Sequence, residues 1–371
     1  MLADRPGGAR RQLAPVSIVL SGCLALGVLI GVLVDRGGDP VHASRPRVSA
    51  PSSGSSQAGS STVEPSRARY VAAGSRVTLR AALQRGVAEA HDLGGEAAAA
   101  VWVGGDAMPI LGGPTAVPHR MWSMSKAVVT IAALQAVADR PDPVLWSAMS
   151  DAITRSDNCA IRRVIVGLQD RLGGVTAATA AFERVLAAAH AHIERTPQSA
   201  PPESECVRYL ENHHGGLPGS DLGVAAEFGT AEWTEYDAIA FAHGLSVGDY
   251  GALGARLLGL MALPKQPPLE EPPPPSAPPL NWGAGAAFPA SWHPAWKAGW
   301  GGSQDAPPHF LSGQIVALKL GGVPVAVTAI FLPSAQPATD NPGLTQAPRA
   351  LELMFAAVRV GLEGEHVGGV V

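Results

Sequence analysis

The stretch Met121-Trp122-Ser123-Met124-Ser125-Lys126-Ala127-Val128-Val129 decides how the rest of the chain is read. Its apolar run predicts a helix over 120–138, with Ser123 and Lys126 one turn apart on one face. A serine hydroxyl is a poor nucleophile until a neighbour takes its proton. Lysine does this only where its surroundings keep it neutral. A helix N-terminus adds partial positive charge, which disfavours a second cation and favours a developing anion. The stretch therefore holds a candidate nucleophile and base, and the remaining chain is searched for the other parts of such a site.

The basic residues sharpen that search. Of 27 Lys plus Arg, four are lysine: Lys126, Lys265, Lys297 and Lys319. Arginine cannot give up its proton under ordinary conditions, so a persisting lysine can mark a place where the chemistry needs one, or simply survive a coding bias. Lys265 falls in a proline-rich loop and Lys319 in an apolar strand, where survival of a coding bias suffices. Net charge is -4, with no basic stripe, which removes the electrostatic case for nucleic acid as a partner. The 371 residues, 46% hydrophobic, are enough for one large domain or two lobes.

Residues 1–12 are polar and carry Arg5, Arg10 and Arg11, as a short cytoplasmic tail would. Leu13–Val34 runs 22 residues without a charge, which matches the ~20 that span a bilayer. Arginines in front predict a cytoplasmic N-terminus and an exported body. An uncleaved single-pass anchor in a bacterial cell membrane is the favoured reading. A cleaved signal peptide has a shorter apolar core. Leu20-Ser21-Gly22-Cys23 also resembles a lipoprotein cleavage box, but the chain stays apolar long after Cys23. Residues 35–69, rich in Ser, Pro, Gly and Ala, form a flexible tether.

The body is expected at 70–362, with a tail at 363–371. Helices are predicted at 78–91 (with Thr78 as cap), 144–154, 159–168, 173–190, 234–245, 249–263 and 346–361. Thr234 and Asp237 have capping-box spacing. Strands are predicted at 96–103, 109–112, 291–299, 312–320 and 323–332. Gly321-Gly322 joins the last two as a hairpin. Residues 194–229 are irregular, and the prolines of 265–279 exclude helix and central strand. The expected fold is α+β: early and late strands in one antiparallel sheet flanked by helices, and the middle helices in a reduced all-helical lobe.

Two further groups complete the pattern. Ser156-Asp157-Asn158 occupies a turn between helices, and Lys297-Ala298-Gly299 a strand before Trp300. In order the chain reads S-x-x-K, S-D-N and K-A-G. Around them stand Ala152-Ile153-Thr154-Arg155, Leu172-Gly173-Gly174 and Phe288-Pro289-Ala290-Ser291-Trp292. The set resembles the serine β-lactamase and penicillin-binding protein superfamily, class A β-lactamases most of all, over roughly 78–361. Taken singly, each motif has a plain structural account: a capped helix, a capping turn, a charge on an edge strand.

The resemblance implies an exported serine hydrolase acting through an acyl-enzyme on β-lactams or on cell-wall peptide amides and esters. It makes Ser123 the nucleophile and Lys126 its base. Ser156 relays a proton, helped by Lys297, and Asn158 holds the substrate amide. Ala298 and Gly299 line the substrate strand, and the Ser123 and Trp300 N–H groups form the oxyanion hole. No cofactor is implied. Glu194 stands near the place of the family's water-activating loop glutamate, with Glu203 and Glu205 as weaker candidates.

There are departures from the pattern. Ala298 lacks the usual hydroxyl, Trp300 is bulky where a small residue is usual, and the interval from Ser123 to Ser156 is short. Ala298 and Trp300 motivate a second reading, a catalytically degenerate domain that binds peptidoglycan peptides or a partner protein without turnover. Cys159 and Cys206 can form a disulfide if the body is exported. His190 and His192, with His213-His214 further on, do not make a metal site at any persuasive spacing.

Overall fold

The structure is a computed structural model and describes residues 73–138, 142–193, 231–265, 282–302, 310–334 and 342–366. The expectations for 1–69, and for Glu194, Glu203, Glu205, Cys206 and His213-His214, fall outside these residues. Among the described residues no helix is long and apolar enough to cross a membrane.

Strands β1 (Gly95–Val103), β2 (Ile110–Gly112), β5 (Ala295–Gly302), β6 (Phe310–Leu320) and β7 (Val323–Pro333) form one antiparallel sheet in the order β2-β1-β7-β6-β5. β1 pairs with β7 from Gly95↔Pro333 to Val103↔Val325, so the early and late strands meet in the middle of the sheet. β6 and β7 turn through Gly321 and Gly322, both at positive φ, a conformation glycine adopts without the clash a Cβ would bring.

Helices α1 (Ala73–His91) and α9 (Pro342–His366) cover one face. They approach closely because their contacts are glycines. A Cβ on Gly86 would stand 2.6 Å from the Ala357 Cβ, and one on Gly361 2.7 Å from Leu79 Cδ1. On the other face lies the helical lobe: α2 (Ser125–Ala136), α3 (Pro143–Thr154), α4 (Asn158–Leu172), α5 (Val175–Ala188), α6 (Glu235–Val247) and α7 (Gly251–Ala262). Every residue from Ser125 to Leu134 is buried, as expected for a helix apolar all round and surrounded by others. A minor ribbon pairs β3 (His119–Arg120) with β4 (Glu232–Trp233), and a short α8 (Ala284–Ala287) precedes β5.

Several boundaries move. Thr78 is not a cap: α1 begins at Ala73 and carries Thr78 inside it, along α9. The helix expected from 120 starts at Ser125, because Arg120 is in β3, paired with Glu232, and Trp122–Met124 is a 3₁₀ turn. β5 begins at Ala295 rather than 291, since Ala290–Trp292 is another 3₁₀ turn and His293 is left-handed at φ 48°. α9 runs on to His366, past the expected start of the tail. The capping box at Thr234 is present: the Asp237 N–H donates to Thr234 Oγ1 at 3.2 Å, and the Thr234 N–H to Asp237 Oδ2 at 3.1 Å.

Candidate active site

Ser123 lies half-buried in the 3₁₀ turn, just before α2. The turn is tied on three sides. The Met121 N–H donates to Ala231 O at 2.9 Å, the Met124 N–H to Met121 O at 3.0 Å, and the Ser125 hydroxyl to Trp122 O at 2.7 Å. Trp122 is held at φ 46°. A bulky residue there costs about 1–3 kcal/mol, and such strain persists only where the surroundings enforce it. Ser156 is the second case, at φ 56° in the turn between α3 and α4. Asp157 stops that turn from unravelling, because its carboxylate accepts the Ala160 N–H at 2.7 Å as the N-cap of α4.

These two strained turns bring the three motifs together. Lys126, 4% exposed on α2, donates from Nζ to the Ser156 carbonyl oxygen, and to Asn158 Oδ1 at 2.7 Å. Its Nζ is 3.4 Å from Ser156 Oγ. Lys297, 2% exposed on β5, donates from Nζ to the same Ser156 Oγ at 2.9 Å and to Ala298 O at 2.8 Å. One hydroxyl thus stands between two amines from opposite sides of the site. Asn158 is exposed at the first position of α4 with its oxygen turned to Lys126, which points its amide N–H groups elsewhere.

Burial, first, and then the charges of Lys126 and Lys265 hold the Lys297 ammonium well below its usual range. Such a lysine gives up its proton more readily than an exposed one.

At Gly299, β5 lies hard against the turn that carries Ser123. A Cβ there would be 2.8 Å from Met121 O, 2.9 Å from Met124 N and 3.0 Å from Ser123 N. Side chains alternate along the strand. Lys297 reaches the helical lobe, whereas Trp296 and Ala298 belong to the core under α1 and α9. Trp300 shares their side and meets the buried Trp282 edge-on, ring centroids 6.1 Å apart. Its bulk is therefore turned away from Ser123 rather than narrowing the approach to it, and Ala298 contributes core packing.

Cys159, directly after Asn158, is disulfide-bonded, with its partner outside the described residues. His192 is engaged with Asp237, Nδ1 to Oδ1 3.0 Å. Among the described residues no group of three or more His, Cys, Asp or Glu could hold a metal ion.

One buried amine was missed in the sequence. Lys265, taken for a loop residue, is pressed on the Trp296 ring at 4.7 Å from its centroid and donates to Met261 O at 2.8 Å. Burial pulls its ammonium down from 10.5 to about 7. The available signal was the scarcity of lysine itself, outweighed by the prolines that follow.

No family model matches the chain, and no curated protein matches it. Solved structures do. Its fold is similar to that of class A β-lactamases. A β-lactamase from Sphaerobacter thermophilus has 14% identity and a TM-score of 0.49, with 77% of this chain and 98% of that one covered. An ancestral class A β-lactamase has 21% identity and a TM-score of 0.48, covering 75% and 99%. The class A β-lactamase of Mycobacterium abscessus has 13% and 0.47, covering 74% and 98%. At these identities the likeness is one of fold.

Proposed function

We propose that the chain is a serine hydrolase that acts through an acyl-enzyme on β-lactams or on cell-wall peptide amides and esters. One observation carries the reading: Ser156 Oγ is shared by Lys126 and Lys297 beside the turn that presents Ser123. A structural capping turn has no use for two buried amines on one hydroxyl.

In the proposed reaction Lys126 is the base. In its neutral form it satisfies the Ser156 carbonyl and Asn158 Oδ1 with its two N–H donors and keeps a lone pair as proton acceptor. Ser123 Oγ attacks the acyl carbon as its proton passes to Lys126. The oxyanion is met by the Ser123 N–H, with the Trp300 N–H as the second donor. The carbon–nitrogen bond then breaks, and Ser156 hands its proton to the leaving nitrogen and takes one from Lys126, whose Nζ is 3.4 Å away, while Lys297 polarises its hydroxyl. Asn158 offers its exposed amide N–H groups to the substrate. Water then adds to the ester and releases the acid. Glu194 is the residue assigned to activating that water, with Glu203 and Glu205 as alternatives.

The same reading places the domain outside the cytoplasm. Residues 13–34 serve as a single-pass anchor and 35–69 as a tether, with acylation of Cys23 as the rival attachment. A Cys159–Cys206 bridge belongs to this proposal and suits an oxidising compartment.

Intact mass spectrometry after exposure to a β-lactam, followed in time, tests the reading. The expected result is a gain of one antibiotic mass, mapped to Ser123. Rapid loss of the adduct marks a lactamase, and a lasting adduct a penicillin-binding role. No adduct and no turnover on folded protein would overturn the proposal in favour of a domain that binds without turnover.

A further inference from the structure

Glu235 and His119 form a buried pair that the chemistry above does not use. Glu235 opens α6, directly after its N-cap Thr234. An acid in the first turn of a helix ordinarily answers the partial positive charge there from the surface. Glu235 is fully buried instead, and neither of its carboxylate oxygens has a hydrogen bond among the described residues. Its ion-pair contact is with His119, Nε2 to Oε2 3.4 Å, and that imidazole is buried too. As a stabilising device such a pair is poor, because apolar residues of similar volume often serve as well or better. What it supplies is a fixed geometry.

That geometry leads to Ser123. The ribbon of β3 and β4 pairs His119 with Trp233 and Arg120 with Glu232, and the Met121 N–H continues it by donating to Ala231 O at 2.9 Å. The ribbon thus joins the turn that carries Ser123 to the start of α6. The α6 end is firm: Asp237 accepts the Thr234 N–H at 3.1 Å and the His192 N–H at 2.8 Å. His119 also reaches along its own strand, with Nδ1 3.4 Å from Arg120 O. The Arg120–Met121 peptide is therefore held at both of its polar ends, the carbonyl facing His119 and the N–H bound to Ala231. The next residue is Trp122 at φ 46°, a conformation that lasts only where its surroundings enforce it.

We propose that Glu235 is a positioning residue that acts through His119: it fixes the imidazole, which sets the Arg120–Met121 peptide and with it the strained turn that presents Ser123. The catalytic consequence rests on the acyl-transfer reading, and the mechanical one does not.

Replacing both partners with methionine (H119M/E235M) tests this in the full chain, because neither polar group is then left alone. The urea midpoint of the double variant should lie near that of wild type. Its acylation by a β-lactam should still slow about tenfold, with the dissociation constant of the preceding non-covalent complex unchanged within ~2-fold. E235M should slow acylation by the same factor, since the two residues act as one unit; if E235M loses the fold, the double variant carries the test. Exchange of the Met121 amide hydrogen, followed by NMR, should quicken about tenfold in the double variant, while that of Ala99 in the middle of β1 stays as in wild type. Wild-type acylation in the folded double variant overturns the proposal, as does a Met121 amide that exchanges at the wild-type rate. A joint loss of urea stability, Ala99 protection and rate would also overturn it, because the pair would then hold the fold at large. Failure of Ser123 to form any adduct in wild type would sink the acyl-transfer reading alone, because the exchange measurement needs no activity.

Discussion

Lys126 and Lys297 reach the same hydroxyl, yet their surroundings are built on different principles. Lys126 comes from a helix buried on every side and is caught by oxygens, the Ser156 carbonyl and Asn158 Oδ1. Lys297 comes from an edge strand, where burial and like charge act on it, with the Ala298 carbonyl as a further acceptor. One environment orients an amine, whereas the other changes how tightly it holds a proton. A site that needs both a fixed base and a mobile proton has reason to contain both kinds.

The comparison fails most visibly if Ser123 is not what the two amines serve. Ser123→Ala should abolish the covalent adduct and reduce turnover by ~10⁴-fold or more, read by mass spectrometry and hydrolysis rate. Lys126→Met should come next, slowing acylation by ~10³- to 10⁴-fold, near the upper range for a general base. Lys297→Met should cost less, ~10²-fold. Equal losses, or the reverse order, would show that the division of labour between the amines is misdrawn.

Gly299→Ala tests the ground between them. The new Cβ would press on Met121 O and Met124 N, which are backbone atoms and cannot swing aside. Loss of one well-aimed oxyanion donor is worth ~10²- to 10³-fold, so acylation should fall within that range while the folded protein persists by circular dichroism. Trp300→Ala, on the opposite face of β5, should change acylation less than ~3-fold, because the ring meets Trp282 rather than the site.

The smallest effect concerns stability. Lys265 binds its proton up to about pH 7 when folded, against 10.5 as its ordinary value. Between those two values the unfolded chain holds more protons, so stability rises with pH across that window and its penalty is complete below it. The urea midpoint should climb from pH 7 to pH 10 in wild type and climb less in Lys265→Met.

The difference between the two amines was only half legible beforehand. Lys126 announces itself by its spacing from Ser123, because both belong to one local segment. Lys297 was found by its place in an ordered set of motifs. Lys265 was passed over, since its neighbours on the page are prolines and its neighbour in space, Trp296, is remote in sequence. Trp300 was noted only as bulky, and alternation along β5 sets its exposed ring against Trp282.

The sequence by itself determined the α+β order, the burial of α2, the antiparallel meeting of early and late strands, and the three motifs. Each follows from local periodicity, turn chemistry or residue type within a few positions. The tertiary structure decided the positive φ of Trp122 and Ser156, the sharing of one hydroxyl by two amines, and the proximity of a third. Those depend on which surfaces the sheet and the helical lobe press together. No window of sequence contains that, because the strain and the lowered proton affinities exist only once burial has removed water from side chains far apart in the chain.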